Sequence, residues 1–204
     1  MRGFTARYYE TLLNIATFGG YRLFIDRVVR DIKIKPSDQI IDFGAGTGYN
    51  DCFILKYLSN EGRIVGLEIG EVMISRFKKR CNKYPNVGIQ RMRIDKSLPF
   101  SDEFNKVLIS FVLHGFPHET RMAVIKNALK VLSLGGELFI LDYGEFSCNE
   151  MPFYFRIPFR AIECKYAYDY LKRDWKKILL EYGFSATEEI VYLNGFVRLL
   201  KAVK

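Results

Sequence analysis

The sequence predicts an α/β fold: a seven-stranded, mostly parallel sheet with helices on both faces and a C-terminal antiparallel hairpin. Three observations support this prediction. Short apolar segments alternate with helical segments between residues 39 and 142, a glycine-rich loop follows the first of them, and an Asn-Gly pair separates the last two. Strands that alternate with helices form parallel sheets that are covered on both faces.

Residues 1–35 are expected to form two N-terminal helices. Apolar side chains recur at helical spacing in two stretches, which are separated by a pair of glycines. The first stripe consists of Phe4, Tyr8, Leu12 and Ile15, and the second of Tyr21, Phe24, Ile25, Val28, Val29 and Ile32. A turn at residues 36–38 then leads into the first strand.

The next hundred residues alternate between strands and helices. Five strands are predicted, at residues 39–43, 63–68, 87–94, 106–110 and 137–142, and the third is expected at a sheet edge. Three helices are predicted between them, at residues 50–58, 72–82 and around 122–132. The run Ser133–Gly136 is predicted to end the last helix as a C-cap.

The C-terminal part is predicted to be a helix followed by a hairpin. Leu171, Trp175, Ile178, Leu179 and Tyr182 mark the helix, which is expected to stop at the next glycine. Two strands follow, near residues 186–192 and 196–203, and the intervening Asn194-Gly195 favours a tight hairpin turn. No repeat or linker interrupts the chain, so residues 1–204 are predicted to form a single domain.

The net charge of +8 is concentrated in one stretch of the chain. Residues 71–96 contain eight basic and two acidic side chains, and Arg76, Lys79, Arg80 and Lys83 are spaced to share one helix face. Such a run usually marks a solvated helix surface. Binding to nucleic acid or to an anionic membrane surface is the alternative.

Two further features favour a cytoplasmic protein. No apolar run approaches the ~20 residues that span a bilayer, and the N-terminus lacks the apolar stretch of a signal peptide. The four cysteines lie far apart without a C-x-x-C pair, which fits reduced thiols. With only two histidines, no metal site is expected.

The loop from Asp42 to Gly48 has features of a nucleotide-binding loop. Its glycines follow the spacing G-x-G-x-G, which differs from both the G-x-G-x-x-G dinucleotide pattern and the P-loop. Two acidic residues lie at later strand ends. Glu68 can accept hydrogen bonds from the hydroxyls of an adenosine ribose, and Asp95 can accept one from an adenine amino group. Each feature alone also fits a simple turn or a polar strand end.

Together these motifs resemble the class I S-adenosylmethionine-dependent methyltransferases, which have a Rossmann-like fold. The resemblance runs from about Ile40 to Lys204. It implies S-adenosyl-L-methionine as cofactor and S-adenosyl-L-homocysteine as product. The positions that the resemblance assigns to the cofactor are Asp42, Gly44, Ala45, Gly46, Gly48, Glu68, Ile69, Met73, Asp95, Lys96 and Phe111.

Within that superfamily, the chain is similar to the ubiquinone/menaquinone C-methyltransferases. The similarity rests on residues 7–16 and 194–202, whereas residues 110–116 are closer to general small-molecule methyltransferases. A phenolic carbon acceptor benefits from a base that favours the phenolate. His114, after the fourth strand, is the candidate base, and a histidine bonded to backbone is the alternative. Tyr143, after the fifth strand, is a second candidate, and plain packing is its alternative.

Residues 143–170 are predicted to be an insertion on the acceptor side. Nine of these 28 residues are aromatic, about twice the proportion of the whole chain. This composition fits an apolar acceptor or peripheral contact with a membrane surface. A packed cover over the sheet is the alternative. The charges of residues 143–173 nearly cancel, which disfavours nucleic acid there.

Three functions are therefore open. The leading hypothesis is a methyltransferase for a small, apolar, aromatic acceptor such as a quinone precursor. The second is an RNA or other nucleic-acid methyltransferase, motivated by the basic stretch. The third is a non-catalytic protein that only binds the cofactor.

Overall fold

The computed structural model describes residues 20–147 and 165–204. These residues contain six α-helices and seven strands, and the chain divides into two compact units, residues 1–93 and residues 94–204. The first predicted helix, at residues 4–15, and residues 148–164 of the predicted insertion lie outside the described residues.

The first unit is built on three parallel strands in the order β3-β2-β1. Its elements are α1 (Tyr21–Ile32), β1 (Gln39–Phe43), α2 (Asp51–Ile54), β2 (Arg63–Glu68), α3 (Glu71–Cys81) and β3 (Val87–Arg91). The pairs Phe43–Leu67 and Glu68–Arg91 end the two ladders. Strand β3 pairs only with β2 among the described strands of this unit, as the edge prediction requires.

The second unit contains four strands in the order β4-β5-β7-β6. Its elements are β4 (Phe104–Ser110), a 3₁₀ turn (Leu113–Gly115), α4 (His118–Val131), β5 (Leu132–Tyr143), α5 (Lys165–Leu171), α6 (Trp175–Glu181), β6 (Ala186–Tyr192), a 3₁₀ turn (Leu193–Gly195) and β7 (Val197–Val203). Strands β4 and β5 are parallel, whereas β7 is antiparallel to both β5 and β6. The predicted C-terminal antiparallel hairpin is confirmed.

Apolar side chains of the helices and strands form the core of each unit. In the first unit Ile41, Phe43, Leu67 and Phe77 are fully or almost fully buried. Helix α1 buries the predicted stripe at Tyr21, Ile25, Val28, Val29 and Ile32. No helix among the described residues is long and apolar enough to cross a membrane.

Several predicted boundaries were wrong. The helix predicted at residues 50–58 has α-helical geometry only over Asp51–Ile54, and turns follow it. The strand predicted at residues 87–94 ends at Arg91, and a turn follows at Ile94–Asp95. The helix predicted at residues 171–182 is two helices, because the Asp174 side chain accepts a hydrogen bond from the Lys177 amide and starts α6.

The predicted glycine C-cap at Ser133–Gly136 was also wrong. Helix α4 ends at Val131, and Leu132 is already extended and pairs with Phe104 of β4. The ladder resumes at Glu137, opposite Lys106, so the intervening residues are extra residues in strand β5. Gly135 has φ +74° and donates its amide to the Lys204 carbonyl, so its conformation serves the strand rather than the helix end.

The hairpin loop is longer than a two-residue turn. Tyr192 pairs with Val197, which leaves four residues between the strands. Leu193, Asn194 and Gly195 all have positive φ, and the Phe196 amide donates to the Leu193 carbonyl at 3.2 Å. The Asn-Gly pair therefore marks the hairpin correctly, but it lies within a longer loop.

Candidate functional site

The glycine loop leaves β1 and bends back onto the end of β2. The amides of Gly44 and Ala45 both donate to the Leu67 carbonyl, at 2.9 and 3.1 Å. Gly44, Gly46 and Gly48 have φ of +85°, +56° and +73°, a region in which a side chain is strained. Backbone hydrogen bonds and positive φ angles therefore determine the conformation of the loop. The spacing of its glycines makes this conformation predictable from the sequence.

Position 48 also requires glycine because there is no space for a side chain. A Cβ there would lie 2.8 Å from the Phe77 ring and 3.0 Å from the Cys81 sulfur, which is closer than packed side chains approach. At Gly46 the nearest heavy atom to such a Cβ is the Gly44 carbonyl oxygen, at 3.9 Å. The loop is thus packed at Gly48 and open at Gly46, where a ligand can approach the backbone.

Glu68 lies at the end of β2 and binds the loop through its carboxylate. Its Oε2 accepts the Gly46 amide at 3.1 Å, and its Oε1 accepts the amides of Ile69 and Gly70, both at 2.8 Å. A carboxylate has about four acceptor positions. These bonds occupy three positions and orient the carboxylate beside the open part of the loop.

Arg80 of α3 holds the loop from its other side. Its Nη1 donates to the Thr47 hydroxyl at 2.6 Å and to the Thr47 carbonyl at 3.3 Å, and its guanidinium lies 5.3 Å from the Tyr49 ring centroid. The sequence predicts a solvated helix face for Arg80 and its basic neighbours. That prediction holds for the exposed Lys79 and Lys83 but not for Arg80, which is half-buried.

Two buried carboxyls, Asp42 and Asp51, lie within this same unit. Asp42 is the fourth residue of β1 and Asp51 the first residue of α2. Burial raises the pKa of Asp42 to about 7, the interaction with Asp51 partly offsets this, and the charge of Glu68 adds to it. Burial and the neighbouring Asp42 raise the pKa of Asp51 as well. Asp51 was not singled out from the sequence.

The remaining predicted positions of the first unit differ in exposure. Ile69 is half exposed, and Met73 of α3 is buried beside Gly70. Ile69 thus exposes apolar surface next to the Glu68 carboxylate, whereas Met73 packs against Gly70.

In the second unit, Asp95 and Lys96 form a turn that Asn127 of α4 holds in place. The Asn127 side-chain amide donates to the carbonyls of Ile94 and Lys96, both at 2.7 Å. Asp95 lies between these two anchored residues and is partly buried. The turn is therefore ordered by a side chain more than thirty residues away.

The partly buried His114 and the fully buried Asp142 form a hydrogen-bonded pair. His114 Nδ1 lies 2.7 Å from Asp142 Oδ1, and the His114 amide donates to Asp142 Oδ2 at 3.3 Å. Asp142 also accepts the Tyr143 amide at 2.8 Å. A carboxylate on Nδ1 favours the tautomer whose lone pair is on Nε2. The arrangement can therefore act as an oriented base. Asp142 was predicted only as the end of a strand.

Aromatic rings surround this pair. The centroid of Tyr143 lies 4.8 Å from that of His114 and 6.2 Å from that of Phe111. Phe111 has φ +53°, and its amide donates to the Leu141 carbonyl at 2.8 Å. The structure thus brings together three of the predicted site residues of this unit.

Arg121 of α4 supports the pair from within the protein. It is fully buried, and its guanidinium donates to the Leu113 carbonyl at 2.9 Å and to the Asp169 carboxylate at 2.7 Å. Further bonds go to the His114 and Tyr166 carbonyls, and the rings of Tyr170 and Trp175 lie within 6 Å. Arg121 thereby joins the turn that carries His114 to helix α5. A single arginine in an amphipathic helix gives no sequence signal for this role.

The donor set of the first unit fits an adenosyl ligand. Glu68 presents a carboxylate with one further acceptor position, Gly46 leaves open space, and Asp42 Oδ1 is buried without a hydrogen-bond partner among the described residues. These groups suit ribose hydroxyls and a cationic amino acid end. None of them is a soft or imidazole ligand for a metal.

Comparison with known proteins agrees with the resemblance seen in the sequence. Residues 40–136 match the family described as a methyltransferase domain. The ubiquinone/menaquinone biosynthesis C-methyltransferase of Xanthomonas campestris is 27% identical over 147 residues, and the match covers 71% of this chain and 57% of that relative. The chain thus spans little more than half of that relative's length.

A second relative and a solved structure match over more of the chain. The ubiquinone/menaquinone biosynthesis C-methyltransferase of Hydrogenovibrio crunogenus is 24% identical, with 96% of this chain and 85% of the relative covered. A SAM-dependent methyltransferase structure from Aquifex aeolicus has a TM-score of 0.67 at 15% identity, with 88% of each chain covered. The resemblance of this chain to class I S-adenosylmethionine-dependent methyltransferases and the predicted Rossmann-like, seven-stranded fold class are both confirmed.

Proposed function

We propose that this chain is an S-adenosylmethionine-dependent methyltransferase that acts on a small, apolar, aromatic acceptor such as a quinone precursor. The observation that carries the proposal is the Glu68 carboxylate, which the Gly46, Ile69 and Gly70 amides orient beside the open part of the glycine loop. When bound, S-adenosyl-L-methionine supplies an activated methyl group, so the protein has only to position the acceptor and accept its proton.

The first unit holds the donor in this proposal. Glu68 accepts a ribose hydroxyl, Ile69 covers the adenine, and the loop from Gly44 to Gly48 presents its backbone to the amino acid end. Asp95, Lys96 and Phe111 are proposed as further cofactor contacts on the basis of the sequence resemblance.

The second unit supplies the base. His114 receives the phenolic proton on Nε2, because Asp142 holds the Nδ1 hydrogen and stabilises the imidazolium that forms. Asp142 is fully buried, so its charge acts on the histidine with little screening by water. Tyr143 and Phe111 provide aromatic surface for a flat acceptor. The aromatic composition of residues 143–170 fits an apolar acceptor or peripheral contact with a membrane surface.

Glu68→Gln tests the donor side. An amide has one acceptor oxygen, so the substituted side chain cannot satisfy the three backbone amides and also a ribose hydroxyl. Calorimetry should show the affinity for S-adenosyl-L-homocysteine falling by about 10- to 100-fold. Glu71→Gln is the matched control, because Glu71 is an exposed carboxylate nearby in the chain that forms a surface ion pair with Arg91. Equal affinities of the two variants would contradict the assignment of Glu68.

His114→Gln tests the base. Turnover should fall by about 10²- to 10³-fold, the usual size of general-base catalysis, while the affinity for S-adenosyl-L-homocysteine stays unchanged. The chain's other histidine provides the control as His118→Gln. The assay follows labelled methyl groups from the cofactor into a lipid extract or a demethylated quinol.

The same assay separates the alternatives. Label in the organic phase that depends on His114 supports the proposal. Label that appears only in RNA, with salt-dependent binding, would replace it with nucleic-acid methylation. Tight cofactor binding without transfer to any acceptor would replace it with a non-catalytic binding protein.

A further inference from the structure

Two cysteines that are distant in sequence meet beside the glycine loop. Cys52 is the second residue of α2 and Cys81 the last residue of α3, and their sulfur atoms lie 3.4 Å apart. Both are reduced. Their spacing of 29 residues follows none of the patterns that mark a metal or redox motif, so only the fold shows that they form a pair.

The two thiols differ in access and in charge environment. Cys52 is partly exposed, whereas Cys81 is buried. The hydrogen bond with Cys81 lowers the pKa of Cys52 to about 7, burial opposes this, and the positive charges of Arg80, Lys83 and Lys56 lower it further. The hydrogen bond and burial raise the pKa of Cys81. Thiolates are the reactive form of cysteine. Cys52 is therefore suited to react first with an oxidant, and Cys81 to react second with the oxidised Cys52.

Both cysteines contact the end of the glycine loop. The Cys52 amide donates to the Gly48 carbonyl at 3.1 Å, and the Cys81 sulfur lies 3.9 Å from the same oxygen. The Cys81 sulfur also fills the space in which a Cβ of Gly48 would lie. A bond between the two sulfurs requires an approach to about 2.05 Å. When the two sulfur atoms approach each other, the Cys52 and Cys81 residues that contact Gly48 therefore have to move.

We propose that Cys52 and Cys81 form a site of oxidation by hydroperoxides, at which a reversible disulfide alters the glycine loop and weakens cofactor binding. The Cys52 thiolate attacks a peroxide oxygen, the O–O bond breaks, and the leaving hydroxide takes up the Cys52 proton as water. Cys52 is then a sulfenic acid. The Cys81 sulfur attacks the Cys52 sulfur, and the hydroxide leaves with the Cys81 proton as a second water. The thiols lose two electrons, and hydrogen peroxide gains them.

The chemical step is tested on the full chain with Cys148 and Cys164 replaced by serine, so that only the pair can react. Hydrogen peroxide should remove two hydrogens from the intact mass, and digestion should yield one peptide pair linked through Cys52 and Cys81. Adding Cys81→Ser should stop the reaction at a sulfenic acid on Cys52, which a cyclic 1,3-dione traps. Adding Cys52→Ser should leave Cys81 unoxidised. A folded parent protein without the linked peptides would overturn the proposal.

A second measurement needs no substitution at the pair. The rate of alkylation of Cys52 in the native parent protein should rise with pH around a midpoint near 7, the pKa of its thiol. In urea the midpoint should move to the ordinary thiol range of about 8.5. Identical midpoints in the native and unfolded protein would show that the fold does not activate Cys52.

The effect on the loop rests on the proposed function and is measured separately. The oxidised parent should bind S-adenosyl-L-homocysteine on the order of tenfold more weakly, because a displacement of about 1 Å is large for an oriented site. Dithiothreitol should restore the affinity. If the reduced protein binds no cofactor, the proposed function fails while the disulfide stands. If the disulfide forms and the affinity is unchanged, the inference about the loop is overturned.

Discussion

The glycine loop of the first unit and the His114 turn of the second are held in different ways. The loop is fixed mainly by its own backbone, whose amides bond to the Leu67 carbonyl and the Glu68 carboxylate. The His114 turn is fixed by two buried charged side chains, Asp142 and Arg121. The contrast separates a loop shaped mainly by backbone conformation from a turn shaped by charge.

This difference determines what each region tolerates. A backbone-built loop depends on steric freedom at a few glycines, and its amides supply hydrogen bonds whichever side chains surround them. A charge-built turn depends on complete pairing, because a buried charge that loses its partner is costly. Substitutions should therefore destabilise the loop by introducing steric clashes. They should destabilise the turn by leaving buried polar groups without partners.

Arg121→Met should have the largest effect on stability. It removes a buried guanidinium that binds carbonyls of Leu113 and His114 and the Asp169 carboxylate. Each buried carbonyl that loses its donor costs about 1–3 kcal/mol, so the losses at these carbonyls add up. Urea denaturation of the purified protein measures the loss.

Arg173→Met is the matched control for that prediction. Arg173 binds the same Asp169 carboxylate through two nitrogens, but its side chain is 30% exposed. Exposed ion pairs contribute about 1 kcal/mol or less. Similar losses for the two variants would show that burial of Arg121 is not what matters, and the contrast between charge and conformation would fail on this side.

Gly48→Ala, in the glycine loop, should have the next largest effect. The alanine methyl would overlap Phe77 and Cys81, and the alanine backbone would have to adopt a φ of +73°. Left-handed strain and overpacking together cost about 2–4 kcal/mol. Gly46→Ala meets the strain alone, because its Cβ has open space, and should cost about 1–2 kcal/mol. Chemical denaturation compares the two; equal losses would mean that packing around Gly48 relaxes.

The same contrast explains which site residues can be predicted from the sequence. Glycine spacing and an acid at a strand end are local patterns, so Gly44, Gly46, Gly48 and Glu68 could be identified without a structure. Asp142 and Arg121 come from elements 28 and 7 residues from His114, and nothing local distinguishes them from an ordinary strand end and a helix surface charge. The Cys52–Cys81 contact was missed for the same reason.

Element boundaries failed where tertiary pairing overrode local signals. Gly135 and Gly136 were read as a helix end because glycine usually occupies that position. Leu132 instead pairs with Phe104, and the bulge absorbs the glycines into β5. The apolar stripe from Leu171 to Tyr182 was read as one helix, although the Asp174 cap divides it. Periodicity identified these elements, whereas long-range hydrogen bonds and a cap set their ends.

The smallest effect concerns Asp42, a buried carboxyl at the start of the glycine loop. The pKa of Asp42 is about 7 in the folded protein against 3.8 as an ordinary carboxyl. Between these two pKa values the folded state therefore holds a proton that the unfolded chain has released. The free energy of unfolding contributed by Asp42 falls as the pH rises through this window and is constant above it.

Asp42→Asn removes this dependence, because an amide does not titrate. The variant should gain stability relative to the wild type on going from about pH 4 to about pH 8, on the order of 2 kcal/mol, since Asp51 shares part of the burial cost. Urea denaturation at both pH values measures the difference, with the acidic condition as internal control because the folded wild type is then neutral at this site. The difference in free energy of unfolding between the variant and the wild type could instead stay constant across this pH range. Asp42 would then already be ionised at the acidic end, and hydrogen bonds rather than protonation would satisfy its buried carboxyl.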